Sequence, residues 1–525
     1  MMKACLSGLG SGVALALALT TPALAYDPVE KSIADLQADL AAGRTTSVEL
    51  VRSYERRIAQ LNSKLHAVIA VNPSALKDAQ SIDALRKAHG TLGPLAGIPI
   101  LIKDNIESLD EMATTAGSLA LKDNITHRDA PMVARMRAAG AIILGKTNLS
   151  EWANIRSSHS ISGWSAMGGQ ARNPYALDRN TCGSSAGSGA AGAASFAAGT
   201  IGTETDGSVT CPAAITGLVG LKPTIGMVSR TYVVPISHSQ DTPGPMVRSV
   251  ADAAVIMAVI AGTDAADPAT APADSRKGDY LGALKLDALR GVRVGILRFA
   301  ADFHPETSRV FDQALSALQS AGATLVEINK FPGDHDIGKL EHLILMTELK
   351  ADLNRYLAST SPAQTPSRTL TDLIAFNNAH AKQEMPQFGQ ELFLEAEKTK
   401  GLDDALYVNA EADARRWTGK EGIDQMLAQY NVSVLIAPTL GPSWLIDPVL
   451  KDLFSSGGAG QAPAVAGYPH LTVPMGLVDG LPVGLSFIGT AWSDAQLIGY
   501  GYAYEQISHA RRPPRYLPTA PIEQP

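Results

Sequence analysis

Apolar residues recur with helical spacing in two runs near the start of the chain. The first run covers residues 33–40 and the second covers residues 48–58. In both runs the apolar positions return every three or four residues, which predicts two amphipathic helices. Thr46 and Ser47 precede the second run and Glu49 lies in its first turn, a pattern typical of a helix start.

Short apolar runs that alternate with further helical patterns predict buried strands. The predicted strands are residues 67–71, 98–102, 141–144, 434–436, 471–473 and 483–488, and residues 292–328 repeat strand, helix, strand. The other predicted helices are residues 73–85 and 132–139, long helices within 339–430, and a last helix after Ser493. This alternation predicts the α/β class, with helices on both faces of a mixed, largely parallel sheet.

Two stretches lack any such periodicity. Residues 148–186 are rich in Ser, Gly and Asn, and a loop of that length inside a compact domain is usually functional. Residues 264–279 are rich in Ala, Asp and Pro and predict an exposed connection.

The N-terminal residues have the pattern of an export signal. Lys3 supplies a positive charge, residues 13–19 are apolar, and residues 23–25 form a small-residue cleavage site. The apolar run is shorter than the roughly 20 residues that span a bilayer, which favours a signal peptide over a membrane anchor or a retained leader. We therefore expect cleavage after Ala25, and a periplasmic or secreted chain from Tyr26 onward without stable membrane association.

Charge and composition argue against several classes of partner. The 525 residues include 44 Lys and Arg against 51 Asp and Glu, a net charge of −7. Because there is no basic block, nucleic acid is not expected as a partner. The 11 histidines include neither an HExxH motif nor a short-spaced His/Cys cluster, so no metal site is predicted. The oligomeric state stays open.

Three short motifs match known signatures but lack the structural context that these signatures need. Residues 140–147 fit the phosphate-binding loop, yet their four variable positions are apolar and predict a strand. Residues 183–187 fit G-x-S-x-G, which would make Ser185 a nucleophile, but no strand precedes them. Residues 74–77 fit S-x-x-K, where Ser74 is more simply a helix-start residue.

Two segments place reactive side chains next to regular elements. Lys103 closes the apolar strand 98–102, where it can reach solvent, pair with Asp104, or lie desolvated with a lowered pKa as a base near neutral pH. Ser184 and Ser185 lie in a Gly-rich turn that leads into an Ala/Gly helix, so that a helix N-terminus points at the turn. A flexible Ser/Gly connection fits this second segment equally well.

A third segment, residues 202–212, combines a tight turn with a helix start. Ser208 ends the turn, and Pro212 suits the first turn of the helix that follows. The N–H groups of such a turn can converge as an oxyanion hole requires. When this segment is considered alone, Ser208 can equally be an ordinary serine of a turn.

Together the three segments resemble the amidase signature family of serine hydrolases, and the resemblance covers nearly the whole chain after the leader. Further segments similar to the family are residues 145–153, 217–224, 241–246 and 479–485. The resemblance implies a single amidase signature domain over residues 26–525, no cofactor, and hydrolysis of carboxamide C–N bonds through an acyl-enzyme. By position, Lys103 matches the family's catalytic lysine, Ser184 its bridging serine after a cis peptide bond, and Ser208 its nucleophile.

The same resemblance assigns the supporting groups. The backbone N–H groups of Thr205, Asp206, Gly207 and Ser208 match the oxyanion hole, and Ser185 is a supporting residue. Neutral Lys103 would take a proton from Ser184 while Ser184 takes that of Ser208, a chemistry that needs no histidine.

The sequence departs from the commonest family pattern at four positions. Cys182 and Ala186 stand where glycines are usual, Glu204 where Asp is usual, and Asp206 where Gly is usual. Asp tolerates unusual backbone dihedrals, so the turn can form, and its carboxylate could bias the choice of substrate or cap the turn.

The variant turn, the leader and residues 148–154 look most like family members that deamidate C-terminal peptide amides to the free acid and ammonia. An amidase of the same family acting on aryl, fatty or simple amides is the first alternative. The glutaminase-type subunit of a tRNA amidotransferase fits poorly, because it would be cytoplasmic and need partner chains. A periplasmic solute- or peptide-binding protein is the alternative from another class.

Cys182 and Cys211 both lie in site segments. Oxidation outside the cytoplasm permits a disulfide between them. Two buried free thiols are the favoured interpretation, because the sequence gives no Cα separation against which to test a bridge.

Overall fold

A mixed sheet forms the centre of the fold, with eleven strands in the part of the chain that the structure describes. The structure is a computed structural model and describes residues 26–90, 92–333, 335–453 and 457–521. The predicted signal peptide lies outside the described residues. The predicted α/β class, a single domain with a mixed sheet and flanking helices, is confirmed.

Eight of the described strands follow the predicted apolar runs, each extended or shifted by a few residues, whereas the five strands from Trp164 to Val247 were not predicted. They are β1 (Val68–Val71), β2 (Pro99–Lys103), β3 (Ile142–Thr147), β4 (Trp164–Ser165), β5 (Gly169–Gln170), β6 (Gly199–Glu204), β7 (Val219–Lys222), β8 (Thr242–Val247), β9 (Arg293–Leu297), β10 (Thr324–Ile328), β11 (Val434–Pro438), β12 (His470–Val478) and β13 (Leu481–Ile488). In the sheet their order is β1-β3-β2-β6-β8-β7-β12-β13-β11-β9-β10, while β4 and β5 form a separate hairpin. The strand β2 runs parallel to β3 and β6, and β9 runs parallel to β10 and β11. The remaining neighbours pair antiparallel.

Helices connect the strands and cover the sheet. They are α1 (Ile33–Ala41), α2 (Ser47–Leu65), α3 (Ala75–Lys87), α4 (Pro131–Ala138), α5 (Ala186–Ala193), α6 (Thr210–Ile215), α7 (Val250–Ile260), α8 (Ala273–Arg276), α9 (Pro305–Ser320), α10 (Ile337–Ser359), α11 (Leu370–Ala379), α12 (Ala381–Glu384), α13 (Glu391–Ala396), α14 (Ala405–Thr418), α15 (Asp424–Gln429), α16 (Gln461–Ala466) and α17 (Asp494–Ser508). The predicted start of α2 is confirmed, because the Thr46 side chain accepts a hydrogen bond from the Glu49 N–H.

Both faces of the sheet are covered at strand β2, where every residue is buried. Its side chains alternate, so Ile100 and Ile102 join one apolar cluster while Leu101 joins another on the opposite face. The first cluster includes residues of α4, α7 and α17, and the second includes residues of α2 and α5. A strand that is covered on both sides reads as a continuous apolar run, which is why residues 98–102 lack polar alternation.

The parallel strands β2, β3 and β6 bring three chain segments to one edge of the sheet. Their carboxyl ends carry Lys103, Thr147 and Glu204. Ligands of α/β sheets bind outside the carboxyl ends of parallel strands, so this edge is where a site is expected. Within the described ranges, no helix combines the length and apolar character needed to cross a bilayer.

Candidate active site

Lys103 occupies the last position of β2 and is fully buried. Its Nζ lies 2.7 Å from Ser184 Oγ, 2.8 Å from Thr203 Oγ1 and 3.3 Å from the Thr203 carbonyl oxygen. Asp104 turns elsewhere and accepts hydrogen bonds from Thr115. Of the three arrangements that the sequence allows for Lys103, the structure has the desolvated one.

Burial lowers the pKa of Lys103 to about 7, because the charged ammonium loses its hydration. The nearby carboxylates of Asp241 and Glu204 oppose this shift only in part. A lysine whose pKa is near neutrality is present in large part as the free amine. It can therefore act as a general base.

Ser184 follows a cis peptide bond after Gly183, as the family resemblance implies. A side chain at Gly183 would collide with Ser150 Oγ, so the close approach of these two segments requires glycine there. The Ser150 N–H donates to the Ser184 carbonyl oxygen over 3.0 Å. This backbone contact fixes Ser184 beside the end of β3.

Ser208 lies in the turn between β6 and α6 and is 8% exposed, and the two residues before it, Asp206 and Gly207, line a cleft. Gly207 precedes it with a φ of +75°, a left-handed conformation that favours glycine. The Ser185 N–H donates to the Ser208 carbonyl oxygen over 3.2 Å, which ties this turn to the turn that holds Ser184. No hydrogen bond joins the Ser184 and Ser208 hydroxyls among the described residues, and catalytic hydrogen bonds often tighten only when a substrate binds.

The N–H groups of the same turn are available to bind an anion. In the described part of the chain, none of the backbone N–H groups of residues 205–208 donates a hydrogen bond. Glu204 instead accepts the next two N–H groups, from Val209 over 2.7 Å and from Thr210 over 2.8 Å. These four N–H groups have no acceptor in the described protein and lie just before the N-terminus of α6.

Comparison with known proteins identifies the family. The family model described as Amidase matches residues 49–498, most of the chain. This chain belongs to the amidase signature family. It is a hydrolase that acts on amide C–N bonds.

The amidase is similar to proteins from bacteria and plants. It is 51% identical to the native peptide amidase from Stenotrophomonas maltophilia, with a TM-score of 0.89 and coverage of 93% of this chain and 99% of that one. A structure of peptide amidase in complex with the competitive inhibitor chymostatin is 52% identical over the same shares, with a TM-score of 0.90. A probable amidase of Arabidopsis thaliana is 38% identical over 93% of this chain and 92% of its own length.

Ser185 supports the site of the amidase through its hydrogen bonds to strand β6. Its Oγ donates to the Thr203 carbonyl oxygen over 3.0 Å and accepts from the Thr203 N–H over 3.1 Å. Thr203 is the same residue that contacts Lys103. The hydroxyl of Ser185 thus bonds both the N–H and the C=O of one residue of β6.

A cleft of about 380 Å³ opens beside the turn that carries Ser208. Its walls include Gly183, Asp206, Gly207 and His470. The carboxyl group of Asp206 is open to the cleft but surrounded by protein, and this burial, together with the like charges of Glu341 and Glu204, raises its pKa well above the usual value. The departure from the family pattern at residue 206 therefore places a titratable carboxyl on the wall of the cleft.

Asp241 is a site residue for which the sequence predicted no role. It accepts a hydrogen bond from Thr205 Oγ1 over 2.6 Å and from the N–H groups of Ile236 and Ser237 over 2.8 and 3.0 Å. Burial raises its pKa to about 6. The sequence offered one signal for this role, the position of Asp241 in the family-like segment 241–246. A carboxylate next to a buried strand needs hydrogen-bond donors around it.

Lys146, which completes the false phosphate-loop motif, is buried in β3 and has a scaffolding role. Its Nζ donates to Thr114 Oγ1 over 2.8 Å and to the Ile106 carbonyl oxygen. These contacts hold the segment that follows Lys103. The prediction that the variable positions, residues 141–144, form a strand is confirmed, since β3 covers Ile142–Thr147.

The expectation of two free thiols in the amidase is wrong. The structure joins Cys182 to Cys211 as a disulfide with a Cα–Cα distance of 6.1 Å. The turn before Ser184 and the first turn of α6 approach each other because Ser185 and Ser208 are hydrogen-bonded. That proximity is a property of the tertiary structure, which the spacing of the two cysteines along the chain does not reveal.

One group of side chains in the described residues has the composition of a metal site. His238, Glu348 and Asp352 bring one ligand atom each within 4.8 Å of one another. Each already has a protein partner, since His238 Nδ1 lies 2.8 Å from Asp352 Oδ2 and Tyr407 donates to Glu348 over 2.7 Å. The group is therefore satisfied as an ordinary hydrogen-bonded cluster.

Proposed function

We propose that the amidase deamidates C-terminal peptide amides to the free acid and ammonia, using Ser208 as nucleophile, Ser184 as proton bridge and Lys103 as base. The observation that carries this proposal is the contact of 2.7 Å between the buried Lys103 amine and Ser184 Oγ, next to the turn of Ser208. The similarity to the peptide amidase of Stenotrophomonas maltophilia supports the choice of substrate.

The first half-reaction forms an ester between the substrate and Ser208. Neutral Lys103 accepts the proton of Ser184 while Ser184 accepts that of Ser208, and the Ser208 oxygen forms a bond to the carbonyl carbon of the amide. The electron pair of the C=O bond moves to its oxygen. The N–H groups of residues 205–208 stabilise this oxyanion, and each such donor contributes about 3–4 kcal/mol to the transition state.

The tetrahedral intermediate then collapses and the C–N bond breaks. The proton held by Lys103 returns through Ser184 to the departing nitrogen, which leaves as ammonia. A water molecule attacks the acyl-enzyme, giving its proton to the same relay, and the ester C–O bond breaks to release the free acid and regenerate Ser208. The proposed sequence of steps requires no cofactor.

Ammonia release from a panel of amides tests the substrate class. The panel compares short peptide amides with an aryl amide, a fatty amide and a simple alkyl amide at equal concentration. We expect the highest kcat/KM with the peptide amides. A higher value with aryl or fatty amides would favour the alternative amidases of the same family and contradict the proposed substrate.

Covalent labelling tests the assignment of Ser208 as nucleophile. A fluorophosphonate probe should label the wild type at Ser208 and should not label Ser208→Ala. The control Ser316→Ala removes an exposed hydroxyl on α9 and should label like the wild type. Labelling of neither the wild type nor the control, or labelling at another residue, would contradict the assignment of Ser208 as nucleophile.

We also propose that the amidase is exported, which rests on the leader pattern in residues 1–25. A disulfide between Cys182 and Cys211 is compatible with an oxidising compartment outside the cytoplasm. Peptide amides would then be hydrolysed in the periplasm or outside the cell.

A further inference from the structure

The walls of the catalytic cleft carry two carboxyl groups. Asp206 lies two residues before Ser208, and Asp452 lines the same cleft. The oxygens of Asp452 accept hydrogen bonds from neutral donors, among them Ser162 Oγ over 2.6 Å and Asn180 Nδ2 over 3.1 Å. The carboxyl group of Asp206 forms neither a hydrogen bond nor an ion pair with the described residues. The first of these acidic groups to be met from Ser208 is thus available to a ligand.

A third carboxyl group lies directly behind this wall. Glu341, on α10, is 6% exposed, and its Oε2 accepts a hydrogen bond over 2.9 Å from Nε2 of Gln461, a residue of the cleft wall. Its Oε1 accepts from Gln240 Nε2 over 2.8 Å, and the same nitrogen lies 3.4 Å from the carbonyl oxygen of Thr205, the residue before Asp206. Both donors are uncharged amides, so neither neutralises the carboxylate of Glu341.

No positively charged side chain compensates these carboxyl groups from within the cleft. Among the described residues, neither a lysine nor an arginine lines it. Lys222, whose charge lowers the pKa of Asp206, is fully buried in β7 outside the cleft wall, and its Nζ donates to the Pro223 carbonyl oxygen over 3.1 Å. Burial and the like charge of Glu341 outweigh this effect and keep the pKa of Asp206 well above its usual value. A cation in the cleft would relieve that repulsion.

His470 adds an unpartnered hydrogen-bonding atom to the same cleft. The residue is 1% exposed, and a Cβ at Gly460 of the cleft wall would approach its ring carbon Cε1 to 3.9 Å. Its Nε2 lies 2.6 Å from Ser486 Oγ, while its Nδ1 has no partner among the described residues. Burial lowers the pKa of His470 to about 3, so the ring is neutral at pH 7. When Nε2 donates to Ser486, the lone pair of Nδ1 stays free to accept an N–H group in the cleft.

We propose that the cleft binds a positively charged group of the substrate, an ammonium or guanidinium held by Asp206, while the amide carbonyl lies at Ser208. The inference rests on the proposed reaction at Ser208. Because Asp206 and Ser208 belong to one turn, the cation has to be attached close to the amide, as the α-ammonium or the basic side chain of the last residue. The N–H donors of such a group suit the carboxylate of Asp206 and Nδ1 of His470. The glycine that is usual in the family at position 206 offers no such acceptor.

Two pairs of amides, compared at pH 7, test the cation site in the wild type. L-Alaninamide, which carries an α-ammonium, is compared with its neutral isostere L-lactamide. N-Acetyl-lysinamide is compared with N-acetyl-norleucinamide, which lacks the charged amino group. In at least one pair we expect kcat/KM to be higher for the cationic member by about tenfold or more, the usual effect of a hydrogen bond to a charged group. The pair that shows the difference identifies the source of the cation, and equal or lower values for both cationic members would overturn the proposal.

The variant Asp206→Asn tests the carboxylate, because it keeps the shape of the side chain. The quantity compared is the ratio of kcat/KM within a pair, since an effect on the oxyanion hole applies to both members. We expect this ratio to fall about tenfold for the pair in which the wild type prefers the cation. The matched control Glu306→Gln removes an exposed carboxylate on α9 and should keep the ratio. An unchanged ratio in Asp206→Asn would contradict the proposal.

Folding of the variants is checked by the fraction of Ser208 that reacts with the fluorophosphonate probe. If Asp206→Asn does not react, Glu341→Gln provides the second test, because it removes the negative charge behind the wall and keeps an acceptor oxygen for a neighbouring amide. Its ratio for the preferred pair should fall about threefold or more, as expected for the loss of a nearby charge. A ratio equal to that of the wild type would overturn the proposal.

Binding to Ser208→Ala separates failure of the cation site from failure of the proposed function. This variant forms no acyl-enzyme, so calorimetry measures the Kd of each of the four amides without turnover. We expect a Kd about tenfold lower for the preferred cationic amide than for its neutral partner. Such a difference without ammonia release by the wild type would reject the function and support the site. Ammonia from all four amides, with equal kcat/KM and equal Kd within each pair, would reject the site and support the function.

Discussion

The amine of Lys103 lies on the buried face of β2, where it contacts the hydroxyls of Ser184 and Thr203 instead of water. A buried ammonium without a carboxylate in direct contact is costly, so the free amine is favoured and the pKa falls. The same burial that makes this residue a base therefore opposes the stability of the fold at low pH.

The pH dependence of the reaction should show this base directly. Because only the free amine accepts the Ser184 proton, we expect kcat/KM to rise with pH through an apparent pKa of about 7 and to fall about tenfold per pH unit below it. Lys103→Met should lower kcat by about 10²–10⁴-fold, the usual contribution of a general base. The measurement is a pH–rate profile with a peptide amide.

Asp241 provides the control, because burial raises its pKa to about 6 and it also lies close to the site. In Asp241→Asn the limb should remain but move to lower pH, because the Asp241 carboxylate raises the pKa of Lys103. Its disappearance in that variant would assign the limb to Asp241 and contradict the role of Lys103.

The free energy of unfolding should also depend on pH because of Lys103. An unfolded lysine stays protonated up to its ordinary pKa of 10.5, whereas the folded one loses its proton near 7. Between these values the unfolded state binds more protons, so the free energy of unfolding contributed by this group rises with pH. Lys103→Met should remove that rise in urea titrations.

At the scale of elements, the short helix α6 depends on one carboxylate. Glu204, at the end of β6, accepts the N–H groups of Val209 and Thr210 and places negative charge at the N-terminus of α6. Ser208 immediately precedes these residues. The cap therefore stabilises the helix and the position of the nucleophile together.

Removing this cap should affect stability and rate together. We expect Glu204→Ala to lower the free energy of unfolding by about 1–2 kcal/mol, the usual cost of a lost N-cap, and to lower kcat because the turn of Ser208 loses its anchor. Glu204→Gln keeps an acceptor oxygen and should have a smaller effect on both. Urea denaturation and ammonia release provide the measurements.

Glu306→Ala is the matched control, because Glu306 lies in the first turn of α9, is exposed and pairs with Arg309. Exposed ion pairs contribute little to the free energy of unfolding, so Glu306→Ala should resemble the wild type in stability and rate. A Glu204→Ala variant that behaves like Glu306→Ala would show that the carboxylate does not hold the turn.

At the scale of the whole molecule, the two ends of the described chain are joined. Arg511, after α17, forms an ion pair with Glu30, before α1, and its Nε donates to the Gly217 carbonyl oxygen over 3.0 Å. Arg248 donates to the Lys31 carbonyl oxygen over 2.8 Å. The first residues after the predicted cleavage site are thus part of the folded domain.

Export should leave the whole domain intact. We expect protein recovered from outside the cytoplasm to begin at Tyr26, as read by N-terminal sequencing, because cleavage after Ala25 spares every residue in these contacts. Ala25→Arg should block cleavage and leave the longer precursor, whereas Ala41→Arg, at an exposed position of α1, should be cleaved normally. An uncleaved wild type in the cytoplasm would contradict export.

The amino-acid sequence by itself determined most elements and the type of each functional residue. Apolar periodicity is a local property, so it predicted β2 with Lys103 at its end, the helix after Ser185 and the turn before α6. The family-like segments then predicted which side chains act together. Local patterns and residue types can be recognised from the amino-acid sequence without knowledge of the fold.

Only the tertiary structure decided which of these residues touch. Lys103 meets Ser184 across 81 positions and Thr203 across 100, and these contacts exist because β2 and β6 pair in parallel and bring their ends to one edge. The disulfide between Cys182 and Cys211 and the contact of Asp241 with Thr205 likewise depend on distances between separate segments of the chain. Such distances are set by strand order and helix packing, which no local pattern of residues encodes.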